Sequence, residues 1–86
     1  MDIYYHRNFT KAFLKLPIKI QEKIEKIIEI FQNNPHDPQL NNHALHGKQK
    51  GQRAISVGGD LRIIFVVKDN YNRIEMIDVG SHAKVY

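Results

Sequence analysis

The stretch Arg53-Ala54-Ile55-Ser56-Val57-Gly58-Gly59-Asp60-Leu61-Arg62-Ile63-Ile64-Phe65-Val66-Val67-Lys68, continuing through Asp69-Asn70-Tyr71-Asn72 into Arg73-Ile74-Glu75-Met76-Ile77-Asp78-Val79, decides the fold. It is rich in β-branched residues and broken twice by turn formers. Arg53 to Val57 reads as a strand, Gly58-Gly59-Asp60 as a tight turn and Leu61 to Lys68 as a buried strand. Residues 69–72 make a second turn, and Arg73 to Val79 a third strand. Turns this short join antiparallel neighbours, because a parallel pair needs a crossover of about a dozen residues or more.

Upstream of this stretch the hydrophobic period changes from two to 3.6. Ile20, Ile24, Ile27, Ile28 and Phe31 fall on one face of a helix whose other faces carry Lys19, Glu22, Lys23, Glu25, Lys26 and Glu29. Asn33-Asn34-Pro35 ends it, since Asn tolerates a left-handed cap and Pro cannot continue a helix. An earlier helix carries Phe9, Ala12, Phe13 and Leu16 at spacings of three and four, with Asn8 or Thr10 as its cap. Pro17 stops it and suits the first turn of the next. Residues 3–6 supply a short first strand, and residues 35–51 read as a loop. Two amphipathic helices cannot bury their stripes on each other completely, so they are expected on one face of the sheet. The expected architecture is α+β: an N-terminal helical hairpin packed on a twisted antiparallel β-sheet, in the order β-α-α-β-β-β.

Eighty-six residues suffice for about one small domain, and residues 1–86 are read as one. With 42% hydrophobic and 26% charged residues, the chain is composed like a globular protein and not like a disordered tail. The absence of cysteine excludes a disulfide framework, a thiolate metal site and a thiol nucleophile, and fits a reducing cytosol. The longest apolar runs, Ile63 to Val67 and the interrupted Ile27 to Phe31, are too short to span a bilayer. Met1 to Tyr5 lacks the basic-then-apolar pattern of a signal peptide. The expectation is a cytoplasmic protein without a membrane partner. Basic charge is concentrated in the second half, where seven Lys and Arg face four acidic residues, against six and five in residues 1–42. A bias of this kind suits phosphate or an acidic protein as partner.

Polar residues that break the pattern gather in three places: the loop His43-Ala44-Leu45-His46-Gly47-Lys48-Gln49-Lys50-Gly51, the hairpin with Arg53, Asp60 and Arg62, and the tail Gly80-Ser81-His82-Ala83-Lys84-Val85-Tyr86. Arg62 interrupts an apolar strand. If Leu61, Ile63 and Phe65 face the core, Arg62 points the other way; taken alone it is an arginine on a solvated sheet face. Arg53 and Arg62 flank one hairpin, and cross-strand proximity would make a basic patch of them. His82 and Tyr86 are four apart, so one helical turn would bring together a group titrating near neutrality and a phenol. A frayed terminus is the plainer reading of the same residues. His43, His46 and His82 lack an evident fourth ligand, so no metal is called for. Gly58-Gly59 has no following Lys-Ser/Thr and is not a phosphate loop. No cofactor is expected.

The ordered segments His43-Ala44-Leu45-His46-Gly47, Lys50-Gly51-Gln52-Arg53, Gly59-Asp60-Leu61-Arg62 and Val79-Gly80-Ser81-His82-Ala83-Lys84-Val85-Tyr86 resemble the RelE/ParE superfamily of bacterial type II toxins, in particular its YafQ-like branch. The resemblance implies a toxin held silent by a cognate antitoxin, acting as a messenger RNA endonuclease, usually on the ribosome. Carried over by position, it implies catalytic roles for His82, His43, Asp60, Arg62 and Tyr86, and RNA or phosphate contacts from Arg53, Lys48, Lys50 and His46. Ser56 stands where YafQ-like enzymes can carry another histidine, and Leu61 replaces the usual aromatic residue, so acid/base chemistry rests mostly on His82.

The chemistry that follows is RNA cleavage by the substrate's own 2′-OH, without metal. A histidine moves the protons, and Arg62 and Arg53 bind phosphate because arginine does not readily give up a proton. Tyr86 would orient or stack on the nucleotide, and Asp60 would fix a histidine tautomer or contact a base. The alternatives are a ParE-like poison of DNA gyrase on the same fold, and an inert structural domain; the tail with His82 and Tyr86 favours the nuclease. The antitoxin is expected to be acidic where it covers the site, and to fold on binding.

Overall fold

The computed structural model describes residues 1–86. Its elements run β1 (Asp2–Tyr5), α1 (Arg7–Leu14), α2 (Ile18–Asn33), a 3₁₀ turn (Pro38–Leu40), β2 (His43–Ala44), a second 3₁₀ turn (Gly47–Gln49), β3 (Arg53–Gly58), β4 (Leu61–Lys68), β5 (Arg73–Ser81) and α3 (His82–Val85). The five strands form one sheet in the order β1-β5-β4-β3-β2. No helix is long and apolar enough to cross a membrane.

The sheet is mixed, not wholly antiparallel. The hairpins β3–β4 and β4–β5 are antiparallel as their turns require, but β1 lies parallel to β5, with Ile3 beside Ile74 and Tyr5 beside Met76. No short turn joins β1 to its neighbour, so nothing local dictates its direction. The loop expected over residues 35–51 also contributes an edge strand: His43 and Ala44 pair with Ala54 and Arg53. Leu40, just before it, is fully buried and pins the loop to the core.

The helix ends differ in detail from the expectation. His6, not Asn8 or Thr10, caps α1, its Nδ1 accepting from the Asn8 N–H at 3.2 Å. Pro17 is the residue before α2, not in its first turn. Asn34 leaves α2 extended, with φ −156°, because the following Pro35 disfavours helical geometry in the residue before it.

The α2 stripe packs where its periodicity puts it: Ile24, Ile27, Ile28 and Phe31 are buried with Phe9 and Ala12 of α1 against Ile55, Val57, Ile63, Phe65, Ile74, Met76 and Val79 of the sheet. Met76 and Val79 are three apart, a spacing that would put them on opposite faces of a regular strand. A bulge resolves this, since Ile64 pairs with Asp78 and Phe65 with Met76, leaving Ile77 without a partner. The other sheet face carries a second, small cluster of Ala54, Ile64 and Val85, with Leu45 and Ile77 against it. This cluster seats the last helical turn through Val85.

Two turns carry left-handed backbone. Gly58 has φ +137°, and a Cβ there would collide with the Lys23 side chain laid over it from α2. In the β4–β5 turn, Asp69, Asn70 and Tyr71 have φ of 50°, 51° and 69°. A bulky aromatic residue in this region is an outlier that costs about 1–3 kcal/mol and persists only where its surroundings over-determine it. Tyr71 is so held, its ring 6.3 Å from that of Phe31 and its hydroxyl accepting from Asn42 Nδ2 at 3.1 Å.

Candidate functional site

The second face of the sheet brings the β3–β4 turn, the β2 edge and the tail together. β5 runs on to Ser81, whose Oγ caps the single turn α3 by accepting from the Lys84 N–H at 3.3 Å. Three further contacts hold that turn down. The His82 N–H donates to the Asp60 carbonyl at 2.8 Å, Gln49 Nε2 donates to the Val85 carbonyl at 2.7 Å, and Val85 is buried against Ala54 and Ile64. The tail is therefore an ordered turn and not a frayed end.

On that turn the His82 and Tyr86 rings meet edge to face, with centroids 4.2 Å apart. The Tyr86 hydroxyl lies 3.2 Å from His43 Nε2, and His43 Nδ1 lies 2.9 Å from the Asn41 carbonyl. A carbonyl only accepts, so Nδ1 carries the proton and, in the neutral ring, Nε2 is bare. The Tyr86 O–H is then the donor to His43. Asn41 can aim its carbonyl this way because it adopts left-handed geometry, with φ 48°. Burial pushes the Tyr86 phenol above its ordinary value of 10.0, against the opposing charge and hydrogen bonding of Arg62.

Arg62 shares this face with Ile64. Its Nη1 donates to the Gly59 and Leu61 carbonyls at 2.8 and 3.0 Å, with Ser56 Oγ a longer contact at 3.4 Å. The same guanidinium faces the Tyr86 hydroxyl. Ser56, directly opposite Arg62 in the ladder, supports the arginine and offers no titratable group.

His82, His43, Tyr86 and Arg62 thus converge. Asp60 joins them through its backbone only: its carboxylate is exposed and bonds neither histidine. The tautomer role suggested for Asp60 is filled at His43 by the Asn41 carbonyl. Lys48, Lys50 and His46 are exposed around the second 3₁₀ turn, beside the Gln49 that holds the tail. His43, His46 and His82 do not converge into a three-ligand metal cluster.

Arg53 does not join Arg62. It pairs with Phe65 and shares the helix-side face with Ile55 and Val57, where its Nε donates to Asn42 Oδ1 at 2.8 Å. The expected Arg53–Arg62 patch does not form, because strand alternation sends the two side chains to opposite faces. Asn41, Asn42 and Gln49 went unnoticed in the sequence; the Asn-Asn pair before His43 was the available signal for a left-handed turn.

The two raised phenols make the protein sensitive to alkali. Tyr5 is also pushed above 10.0, by burial first and by Glu25 second. Both bind their protons more tightly folded than unfolded, so their stabilising contribution is whole below pH 10.0 and is lost as pH rises through the raised values. The melting temperature should fall as pH rises above 10.0, and fall less in a Tyr5→Phe, Tyr86→Phe double variant. Superimposable pH profiles for the two proteins would contradict this.

Known structures share this architecture. YafQ from E. coli strain BL21(DE3) superposes with a TM-score of 0.80 over 99% of this chain and 97% of that chain, at 26% identity. The E. coli DinJ-YafQ toxin-antitoxin complex gives 0.77 over 99% and 96%, also at 26% identity. A YoeB/ParE toxin from Agrobacterium tumefaciens, at 18% identity, shares the fold with a TM-score of 0.79 over 95% of this chain and 99% of that one. No curated protein matches the chain. These neighbours define a class, the RelE/YoeB/ParE-type toxins. Within it, the family model described as bacterial toxin of type II toxin-antitoxin system, YafQ, matches residues 1–86, and the chain belongs to that family.

Proposed function

We propose that this YafQ-family toxin is a messenger RNA endonuclease that acts in the cytoplasm on translating ribosomes. The observation that carries the reading is the convergence of His82, Tyr86, His43 and Arg62 on one open sheet face. The substrate 2′-oxygen attacks the adjacent phosphorus as its proton passes to a base. The bond from phosphorus to the 5′-oxygen breaks, and that oxygen receives a proton. The products are a 2′,3′-cyclic phosphate and a 5′-hydroxyl. His82, exposed on its turn, exchanges a proton with the substrate, since an imidazole can both accept and donate one. His43, with Nε2 bare, is the second group suited to proton transfer. The guanidinium of Arg62 suits the phosphate oxygens where charge builds up. Tyr86 remains a phenol at neutral pH and orients His43 or stacks on a base.

E. coli YafQ is held by its antitoxin DinJ; for this chain we propose an antitoxin of its own, acidic where it covers Arg62 and the tail.

Purified toxin should cut a defined messenger RNA when translating ribosomes are present. Cutting without ribosomes would make it a free endonuclease. Intact RNA in both arms, from folded protein, would overturn the nuclease reading; inhibition of DNA supercoiling in the same preparation would then put the gyrase alternative in its place.

A further inference from the structure

On the helix side of the sheet, away from His82, four polar residues form a network that the cleavage chemistry does not use. Asn42 is its hinge. Its Oδ1 accepts from Arg53 Nε at 2.8 Å, and its Nδ2 donates to the Pro35 carbonyl at 3.0 Å and to the Tyr71 hydroxyl at 3.1 Å. The amide is therefore fully spent on aiming an arginine and a phenol. His36 stands edge-on to the Tyr71 ring, with centroids 5.2 Å apart.

What remains unspent is all donor. Both terminal nitrogens of Arg53 lack a hydrogen bond, and the protein's two ion pairs lie elsewhere, at Lys68, Arg73 and Glu75. The Tyr71 hydroxyl accepts from Asn42 and has no acceptor for its own proton. No unpaired side-chain nitrogen or oxygen is buried, so the two terminal nitrogens of Arg53 reach solvent. Asp37, the single acidic residue between Asn34 and Arg53, turns its Oδ1 to the Gln39 N–H. The left-handed backbone at Tyr71 is a second, independent mark on the same cluster, because the chain holds a large residue there in a disfavoured conformation.

We propose that Arg53, Tyr71 and His36 form a second anion site, taking a backbone phosphate of an RNA strand on the sheet face opposite Arg62. An arginine fork, a hydroxyl and an imidazole supply more donors than the two oxygens of a carboxylate use, and the His36–Tyr71 ring pair offers a stacking edge to a neighbouring base. The site rests on the reading of this toxin as an RNA-cleaving protein, and gives the RNA a grip separate from the reacting phosphate.

The test is binding, not cleavage. A fluorescent 2′-O-methyl RNA, which lacks the attacking hydroxyl, is titrated with the full chain at several salt concentrations. Arg53→Gln should weaken binding roughly 3- to 10-fold and lower the slope of log K against log salt by about 0.7, as expected for one phosphate contact on a single strand. Tyr71→Phe keeps the ring and its packing, and should weaken binding in the same direction by less. Its melting curve guards against a folding defect. Losses from Arg53→Gln and Arg62→Gln should multiply, as separate sites require. Unchanged affinity and slope in Arg53→Gln would overturn the site. So would tighter, Arg53-dependent binding of a poly-glutamate peptide, which would reassign it to a protein partner. An RNA that is held through Arg53 but never cut supports the site and sinks the cleavage reading. Cutting on ribosomes with no binding of free RNA does the reverse.

Discussion

His82→Ala is expected to slow RNA cleavage about 10²- to 10⁴-fold, the usual worth of a positioned proton-transfer group, while leaving the melting temperature within a few degrees of the parent. The size of the loss separates two explanations. His82 also packs edge-on against Tyr86 at 4.2 Å, and such a ring pair is worth about 0.5–1.5 kcal/mol, or at most roughly tenfold in rate. A hundredfold loss cannot come from that contact. His82 is exposed, so free imidazole in the buffer can reach the space the variant leaves. Partial recovery of cleavage with added imidazole should accompany the loss. The readout is the initial rate of cutting a defined message on translating ribosomes. A variant within twofold of the parent rate would remove His82 from the chemistry and leave His43 as the remaining candidate.

The second imidazole is set up differently. His43 is fixed at both nitrogens, by the Asn41 carbonyl and by the Tyr86 hydroxyl. A substrate hydroxyl must displace Tyr86 to reach Nε2, whereas the His82 ring makes no side-chain hydrogen bond that must be broken first. This asymmetry is why the larger effect is assigned to His82.

The features legible in the sequence are those that depend on periodicity. The α2 stripe from Ile20 to Phe31 and the two hairpins from Arg53 to Val79 followed from spacing alone, because period 3.6 and period two are dictated by backbone geometry. The separation of Arg53 from Arg62 was legible by the same rule: Arg53 alternates with Ala54 onto the face of Ile55, and Arg62 with Ile63 onto the face of Ile64. Features set by distant backbone atoms were not legible. The direction of β1 depends on β5, some seventy residues away. The choice between an ordered and a frayed tail depends on Gln49 reaching the Val85 carbonyl and on Val85 packing against Ile64. The tautomer of His43 depends on a carbonyl two residues back, whose aim is set by one left-handed dihedral. Carbonyl acceptors leave no trace in residue type, and the supporting residues of this site are held mainly by them.

Phe31→Ala should be the most destabilising single substitution considered, at about 3–5 kcal/mol. Phe31 is fully buried at the end of the α2 stripe, its ring 5.0 Å from that of Phe65 in an edge-to-face arrangement and 6.3 Å from that of Tyr71. The substitution removes the ring's transfer energy and leaves a cavity between helix and sheet that neither can close without breaking the rest of the stripe. An 86-residue protein holds in total about 4–13 kcal/mol, so the variant should lie near the edge of folding at physiological temperature. Urea denaturation should show the midpoint falling with the slope unchanged. A loss below about 1 kcal/mol would mean that the helix–sheet interface is not the main source of stability. The small cluster of Ala54, Ile64 and Val85 on the other face would then carry more than its size suggests. Phe31 and the residues proposed for catalysis lie on opposite faces of the sheet, so the cleavage rate per folded molecule should stay close to the parent value. The two variants therefore dissociate: His82→Ala removes chemistry from a stable protein, and Phe31→Ala removes stability from competent chemistry. A Phe31→Ala protein that is folded yet cuts a hundredfold more slowly would instead mean that α2 reaches the site through the sheet, by way of Phe65 and its neighbour Ile64, on which Val85 and the tail are seated.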